Sequence, residues 1–87
     1  MKYDVVWLTA AEQDLAEIWM RSSDRETVTL AAYRIEAFLR SRAAAFENAE
    51  PKTRRFVAAE PLVVEFRVSA ADCRVTVIGV AIWKQVN

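Results

Sequence analysis

Hydrophobic and polar positions follow three successive patterns along the chain. Residues 3–8 are β-branched and aromatic with no breaker, which predicts an opening strand. Thr9 and Glu12 then have the spacing of a capping box, so we expect a helix to begin at Thr9. This helix has one apolar stripe at the i, i+4, i+7, i+8 spacing, formed by Ala11, Leu15, Ile18 and Trp19.

A second helix is predicted to follow directly. Ser23 to Glu26 has the form of another capping box, so the first helix should end near Arg21 or Ser22. The stripe of the second helix is longer and includes two small residues that allow close approach of the first helix. Its members are Val28, Ala31, Ala32, Ile35, Phe38, Leu39 and Arg42. The pattern predicts a helical hairpin.

The second half of the chain is predicted to consist of a loop followed by strands. Apolar periodicity fails between residues 46 and 55, where Pro51 forbids a helix, and this segment is predicted to be a loop. Three β-rich runs follow, at residues 55–59, 62–68 and 74–83, and the order is therefore β-α-α-β-β-β. We expect one α+β domain over residues 1–87, with the helical hairpin on one face of a four-stranded, mainly antiparallel sheet.

Composition restricts the chemistry that this chain can perform. It has 87 residues, 54% of them hydrophobic, which is typical of one folded domain and excludes a disordered chain. There is no histidine and only one cysteine, Cys73, so we expect no zinc or transition-metal site, no cofactor and no histidine-assisted nucleophile. The unpaired thiol and the missing apolar leader indicate the cytoplasm, and no apolar run is long enough to span a membrane.

The charges balance overall but not locally. Residues 1–50 carry six basic and nine acidic side chains (net −3), whereas residues 51–87 carry six basic and three acidic ones (net +3). A surface that binds anions is therefore expected in the second part of the chain. The acidic cluster of Glu12, Asp14 and Glu17 is interpreted as a solubilising surface.

Arg67 is the leading candidate for anion binding. Alternation along residues 62–68 places it on the face of the sheet that the helices leave open, where Arg54 or Arg55 from the neighbouring strand could join it. Converging guanidinium groups suit phosphate, because each donates two parallel hydrogen bonds. The alternative, equally open, is a solvated ladder of ion pairs in which Arg67 pairs with Glu65. Lys52 and Lys84 are further basic candidates, while Trp7 and Trp19 are expected in the core and Trp83 at an interface.

Several strings resemble the RelE/ParE superfamily of toxins from toxin-antitoxin systems. The opening strand leads into an A-x-x-D-L-x-x-I helix, here Ala11, Asp14, Leu15 and Ile18. The later Ala32-x-x-Arg34-Ile35 segment and the strands at residues 61–68 and 74–80 also resemble that family, so the likeness covers nearly the whole chain. It implies a cytoplasmic toxin that inhibits growth and that an antitoxin protein neutralises.

The resemblance implies two alternative targets. RelE-like members cut mRNA on the ribosome, and ParE-like members inhibit DNA gyrase. By position, Arg54, Arg55 and Arg67 would belong to the catalytic set, with Lys52 or Lys84 as the base, although the tyrosine near the C-terminus is missing. Whether the chain is an enzyme stays open, and an inert interaction module is a third alternative. We also expect the apolar strand at residues 74–83 to be an edge that the antitoxin or a second copy covers, burying Trp83.

Overall fold

The fold consists of two helices packed on one face of a four-stranded mixed sheet. The computed structural model describes residues 3–46 and 53–83. The elements in chain order are β1 (Asp4–Trp7), α1 (Thr9–Arg21), α2 (Arg25–Arg42), a 3-10 turn (Ala43–Phe46), β2 (Arg55–Ala59), β3 (Leu62–Ser69) and β4 (Arg74–Ile82). This confirms the predicted α+β class and the β-α-α-β-β-β order.

The strands lie in the order β1-β4-β3-β2. β1 runs parallel to β4, and the other neighbouring strands are antiparallel. The parallel pair is possible because the helical hairpin carries the chain across one face of the sheet before β2 begins. The prediction that the 74–83 strand is an edge is therefore wrong. β4 lies between β1 and β3, and only its last residues extend beyond the short β1.

The core lies between the helices and the sheet. Alternate residues of β3 are fully buried towards the helices, and β4 contributes Val75, Val77 and Val80. From the helices, the buried residues are Ala11, Val28, Ala31, Ile35 and Leu39. The predicted stripes are thus largely confirmed, although Phe38 and Trp19 keep 40% and 39% of their surface exposed. Two aliphatic layers of this kind bury enough apolar surface to hold a small domain together.

The helix ends differ from the two predicted capping boxes. α1 is preceded by Leu8, which supplies no side-chain cap, so Thr9 is the first helical residue and not the cap. α2 is capped by Asp24, whose carboxylate accepts hydrogen bonds from the backbone N–H and the hydroxyl of Thr27. These bonds hold the pKa of Asp24 below its usual value. A carboxylate is favoured at this position because its negative charge also complements the positive end of the helix dipole.

A β-bulge in β4 fixes how α1 meets the sheet. Glu65 is paired with Gly79 and Phe66 with Val77, so Ile78 is an extra residue in β4. Beyond the bulge, the Val80 N–H donates to Oδ2 of Asp14 at 3.3 Å. Asp14 therefore belongs to the packing of α1 on the sheet, which corrects its assignment to a solubilising surface.

Among the described residues, no helix is long and apolar enough to cross a membrane.

Candidate functional site

The face of the sheet opposite the helices is uncovered in the described part of the chain. We call it the open face and define it by the outward residues of the strands: Asp4, Val6, Phe56, Ala58, Val63, Glu65, Arg67, Ser69, Arg74, Thr76, Ile78 and Ala81. The alternation along β3 shows which residues point to this face, because the even-numbered residues of β3 are buried and the odd-numbered residues are not. Arg67 lies on this open face and is exposed, as predicted.

Arg54 and Glu65 form a two-pronged ion pair on this face. Nε of Arg54 donates to Oε2 of Glu65 at 3.0 Å, and its NH2 group donates to Oε1 at 3.3 Å. These bonds raise the pKa of Arg54 and lower the pKa of Glu65. The same guanidinium lies 5.5 Å from the ring centroid of Phe56, which is 57% exposed. Arg54 is thus held in place beside an exposed aromatic ring.

Arg67 has no comparable partner. Among the described residues it makes no hydrogen bond and no ion pair, because Glu65 is occupied by Arg54. The positive charge of Arg67 also lowers the pKa of Glu65, but by less than the hydrogen bonds from Arg54 do. The alternative in which Arg67 simply pairs with Glu65 is therefore wrong.

A shallow hollow of about 280 Å³ lies beside Arg67. Its lining combines apolar, hydroxyl and cationic groups, from Leu8, Arg67, Val68, Ser69, Thr76 and Ile78. The Ser69 hydroxyl donates to Oδ2 of Asp72 at 3.1 Å, while Thr76 lies opposite Arg67 in the ladder. We call this the Arg67 hollow. Its size is near the lower limit for a small-molecule site, which suits one flat group and not a large ligand.

Arg55 does not join Arg54 and Arg67. It is paired with Phe66 on the helix side of the sheet, and its guanidinium lies 4.7 Å from the ring centroid of Phe46. Phe46 in turn meets Phe66 edge-on, with a centroid separation of 5.8 Å. The predicted alternative in which Arg55 shares the open face is wrong, because consecutive residues of a strand point to opposite faces. Lys52 and Lys84 lie outside the described residues.

The tryptophans have different surroundings. Trp7 packs against the core, as predicted, and its indole N–H donates to Oε1 of Glu36 at 3.0 Å. Trp19 is less buried than predicted, since its ring stacks with the guanidinium of Arg25 at 4.6 Å. Trp83 is 57% exposed, and its backbone N–H donates to the carbonyl of Pro61.

Sequence reasoning missed the hollow because its walls come from separate elements. Leu8 follows β1, Ile78 is the bulged residue of β4, and Arg67 is on β3. Only the parallel pairing of β1 with β4 brings Leu8 to this place, where its N–H donates to the carbonyl of Val77. The signal in the sequence was an apolar residue directly after the opening strand, which by itself indicates nothing about a site.

Chemically, the charged groups described on the open face are suited to binding. The guanidiniums stay protonated at neutral pH, and the lowered pKa of Glu65 keeps this carboxylate charged. A general base needs a pKa near the working pH. What the described part of the face offers is an unpaired cation, an exposed aromatic ring and apolar surface.

Comparison with known proteins shows a likeness to a solved structure. No family model matches the chain, and no curated protein matches it. A crystal structure of TrmO from Pseudomonas aeruginosa superimposes on it with a TM-score of 0.62 and 22% sequence identity. The likeness covers 93% of this chain and 33% of the TrmO chain, so the chain spans about a third of that protein's length. It shows a shared fold.

The expected membership of the RelE/ParE superfamily is wrong, because it is contradicted by the likeness to TrmO, which points to a different family. The expected toxicity, mRNA cleavage and gyrase inhibition fail with it, as do the antitoxin, ribosome, gyrase and homodimer partners and the inert-module alternative. The physical reason lies in the motif. Asp14 bonds to the bulge of β4, while Leu15 and Ile18 pack against the core. These residues specify a fold, and a fold accommodates unrelated functions.

Proposed function

We propose that this chain is an RNA-binding domain that contacts RNA through the open face. The observation that carries the proposal is Arg67, an exposed guanidinium with no partner among the described residues, beside a hollow with apolar walls. A guanidinium of this kind binds phosphate through two parallel hydrogen bonds. The hollow would receive the adjoining base or sugar, and Thr76 would supply a hydroxyl.

Phe56 and Arg54 support the same function. An exposed aromatic ring on an open sheet is a surface on which an unstacked base can lie, and such stacking is tolerant of sequence. Arg54 holds a second positive charge 5.5 Å from the ring centroid of Phe56, where it could meet the phosphate next to a stacked base. The excess of basic residues in the second part of the chain favours an anionic ligand over a cationic one.

The proposal assigns binding and not catalysis to this chain. The likeness to TrmO is limited to about a third of that protein and shows the fold alone, so no activity of TrmO is carried over to this chain. The hydrogen bonds from Arg54 lower the pKa of Glu65, so this carboxylate is not suited to accept a proton at neutral pH. A domain of this kind would act in the cytoplasm, where it would present RNA to a catalytic centre elsewhere.

The test is a titration of a fluorescent tRNA transcript with the protein at several salt concentrations. Arg67→Ala should weaken binding and flatten the dependence of log K on log[salt] by about one unit, as expected for loss of one phosphate contact. Arg67→Lys should recover only part of the affinity, since an ammonium lacks the planar pair of donors.

Arg34→Ala is the matched control. Arg34 is an exposed arginine of α2, and its loss changes the net charge equally without touching the open face. Its affinity and salt dependence should equal those of the wild type. Equal weakening by Arg67→Ala and Arg34→Ala would show that only net charge matters and would contradict the proposal, as would the lack of saturable binding at low salt.

A further inference from the structure

A second cavity lies on the other side of the molecule, between α1 and α2. It is an open groove of about 580 Å³, within the usual range for small-molecule sites. Aromatic, aliphatic and acidic residues line it: Trp7, Glu12, Leu15, Ala16, Trp19, Val28, Thr29, Ala32, Tyr33 and Glu36. We call it the helix groove. It is formed by the helices and β1, so its role is independent of the open face.

Three aromatic rings are concentrated in the helix groove. Trp7 is held by the bond from its indole N–H to Glu36, and the Trp19 indole N–H donates to the hydroxyl of Thr29 at 3.2 Å. Tyr33 is 67% exposed. With both indole N–H groups already bonded, the two tryptophans present mainly their rings, and the faces of such rings carry a negative potential.

The polar groups of the groove add negative charge. Glu12 is exposed and makes no side-chain hydrogen bond or ion pair among the described residues. Glu36 accepts from Trp7 and lies 3.6 Å from the guanidinium of Arg40, so its charge is partly balanced. No lysine or arginine is among the described residues that line the groove. The electrostatic complement of this lining is a cation.

Trp19 already shows the contact in question. The guanidinium of Arg25 lies 4.6 Å from its ring centroid, and Nε of Arg25 donates to the carbonyl of Trp19 at 3.2 Å. Arg25 does not line the groove, so this contact leaves the groove open. The ring of Trp19 therefore already packs against one cation.

We propose that the helix groove binds a small organic cation of the quaternary ammonium class. Such a cation is weakly hydrated and has an apolar surface, so it loses little hydration free energy on entering an apolar groove. Its charge is favoured by the ring faces and by Glu12. A neutral apolar ligand would gain nothing from the carboxylate, and an anion would be repelled by it. The charge of the ligand is therefore the property that distinguishes this site from a merely apolar depression.

The experiment uses choline and its uncharged isostere, in which a tert-butyl group replaces the trimethylammonium head. The chain has three tryptophans, so its amide spectrum contains three indole N–H signals. Choline should shift the signals of Trp7 and Trp19 in a saturable way and leave that of Trp83 unchanged, since Trp83 does not line the groove. The isostere should cause much smaller shifts. Sodium chloride at equal concentration controls for ionic strength.

Glu12→Gln and Glu26→Gln form a matched pair of variants. Each removes the acidic residue in the first turn of its helix, but only Glu12 lines the groove. Glu12→Gln should weaken choline binding about two- to fivefold, as expected for one solvent-accessible charge contact, and Glu26→Gln should leave it unchanged.

Several outcomes would overturn the proposal. One is an equal response to choline and its isostere, which would mean an apolar depression with no preference for charge. The others are a choline response shared equally by all three tryptophans, no response at all, or equal weakening by the two variants. The comparison of choline with its isostere uses the wild-type protein, so it does not depend on how either variant folds. A failure here would leave the RNA-binding proposal untouched.

Discussion

Asp14 and Val80 are joined by a hydrogen bond across 66 positions of the chain, from the backbone N–H of Val80 to Oδ2 of Asp14 at 3.3 Å. The bond lies just past the bulge at Ile78, where the end of β4 extends beyond β1. A backbone N–H in this partly buried position would otherwise lack a partner, and a missing partner is costly. Asp14 therefore fixes the position of α1 on the sheet.

Replacing Asp14 by alanine should destabilise the fold by about 1–3 kcal/mol, the range for leaving a buried donor unsatisfied. Asp14→Asn should cost less than half as much, because its amide oxygen can still accept the bond. Glu17→Ala, which breaks only the exposed ion pair with Arg21, should cost about 0.3–0.5 kcal/mol. Urea denaturation measures all three. A loss for Asp14→Ala no larger than that for Glu17→Ala would show that the bond to Val80 contributes nothing.

Two leucines of α2 test where the core lies. Leu39 is fully buried, whereas Leu30 on the same helix is 48% exposed. Leu39→Ala should reduce the free energy of unfolding by about 2–5 kcal/mol, because it removes buried methylene groups and leaves a cavity. Leu30→Ala should cost less than about 1 kcal/mol, since alanine has the higher helix propensity and little burial is lost. Similar losses for the two variants would contradict the described packing of α2.

Acid should act on the cap of α2. The hydrogen bonds from Thr27 lower the pKa of Asp24 in the folded state, so the cap stabilises the fold above the ordinary aspartate pKa. This stabilisation is lost as the pH falls through the lowered value. In thermal unfolding, the advantage of the wild type over Asp24→Ala should be constant near neutral pH and shrink below about pH 4. Asp24→Ser keeps a hydroxyl acceptor without a titrating charge, so its advantage over Asp24→Ala should persist in acid. Parallel profiles for all three proteins would refute this role.

Glu65 should limit the affinity for RNA. It neutralises Arg54 through two hydrogen bonds and adds a negative charge to the open face. Glu65→Gln should therefore tighten binding of a tRNA transcript and steepen its salt dependence by about one unit, as one more arginine reaches phosphate. Glu17→Gln, which frees Arg21 from a similar ion pair on α1, is the control and should not change binding. Anisotropy titrations decide between these outcomes, and weaker binding by Glu65→Gln would count against the open face.

The order and bounds of the elements could be predicted from local signals. The β-rich run at residues 55–59 has the observed bounds of β2, and the second capping box predicted an end of α1 near Arg21 or Ser22, where Arg21 is observed. The position of β4 could not be predicted, because strand order depends on long-range pairing. The run of apolar residues in β4 has the same appearance whether the strand is central or at an edge.

The candidate site was predicted one residue at a time, and its relationships were not. Alternation placed Arg67 outside, but whether Glu65 pairs with Arg67 or with Arg54 depends on the approach of the segment before β2. The helix groove was likewise not predicted, since the stripe spacing that suggested a core position for Trp19 does not show a groove between the helices. Motifs that specify packing, such as the one containing Asp14, were the source of the incorrect family resemblance.

The measurement that tests the central claim most directly is an amide NMR titration of the wild-type protein with a tRNA transcript. Loss or shift of amide signals should be greatest on the open face, at Phe56, Glu65, Arg67 and Thr76. The amide signals of the outward residues of α2 should be unaffected. Saturable changes confined to that face are the predicted result. Changes that concentrate on α1 and α2, or that spread evenly over both sides of the molecule, would contradict the claim that the open face binds RNA.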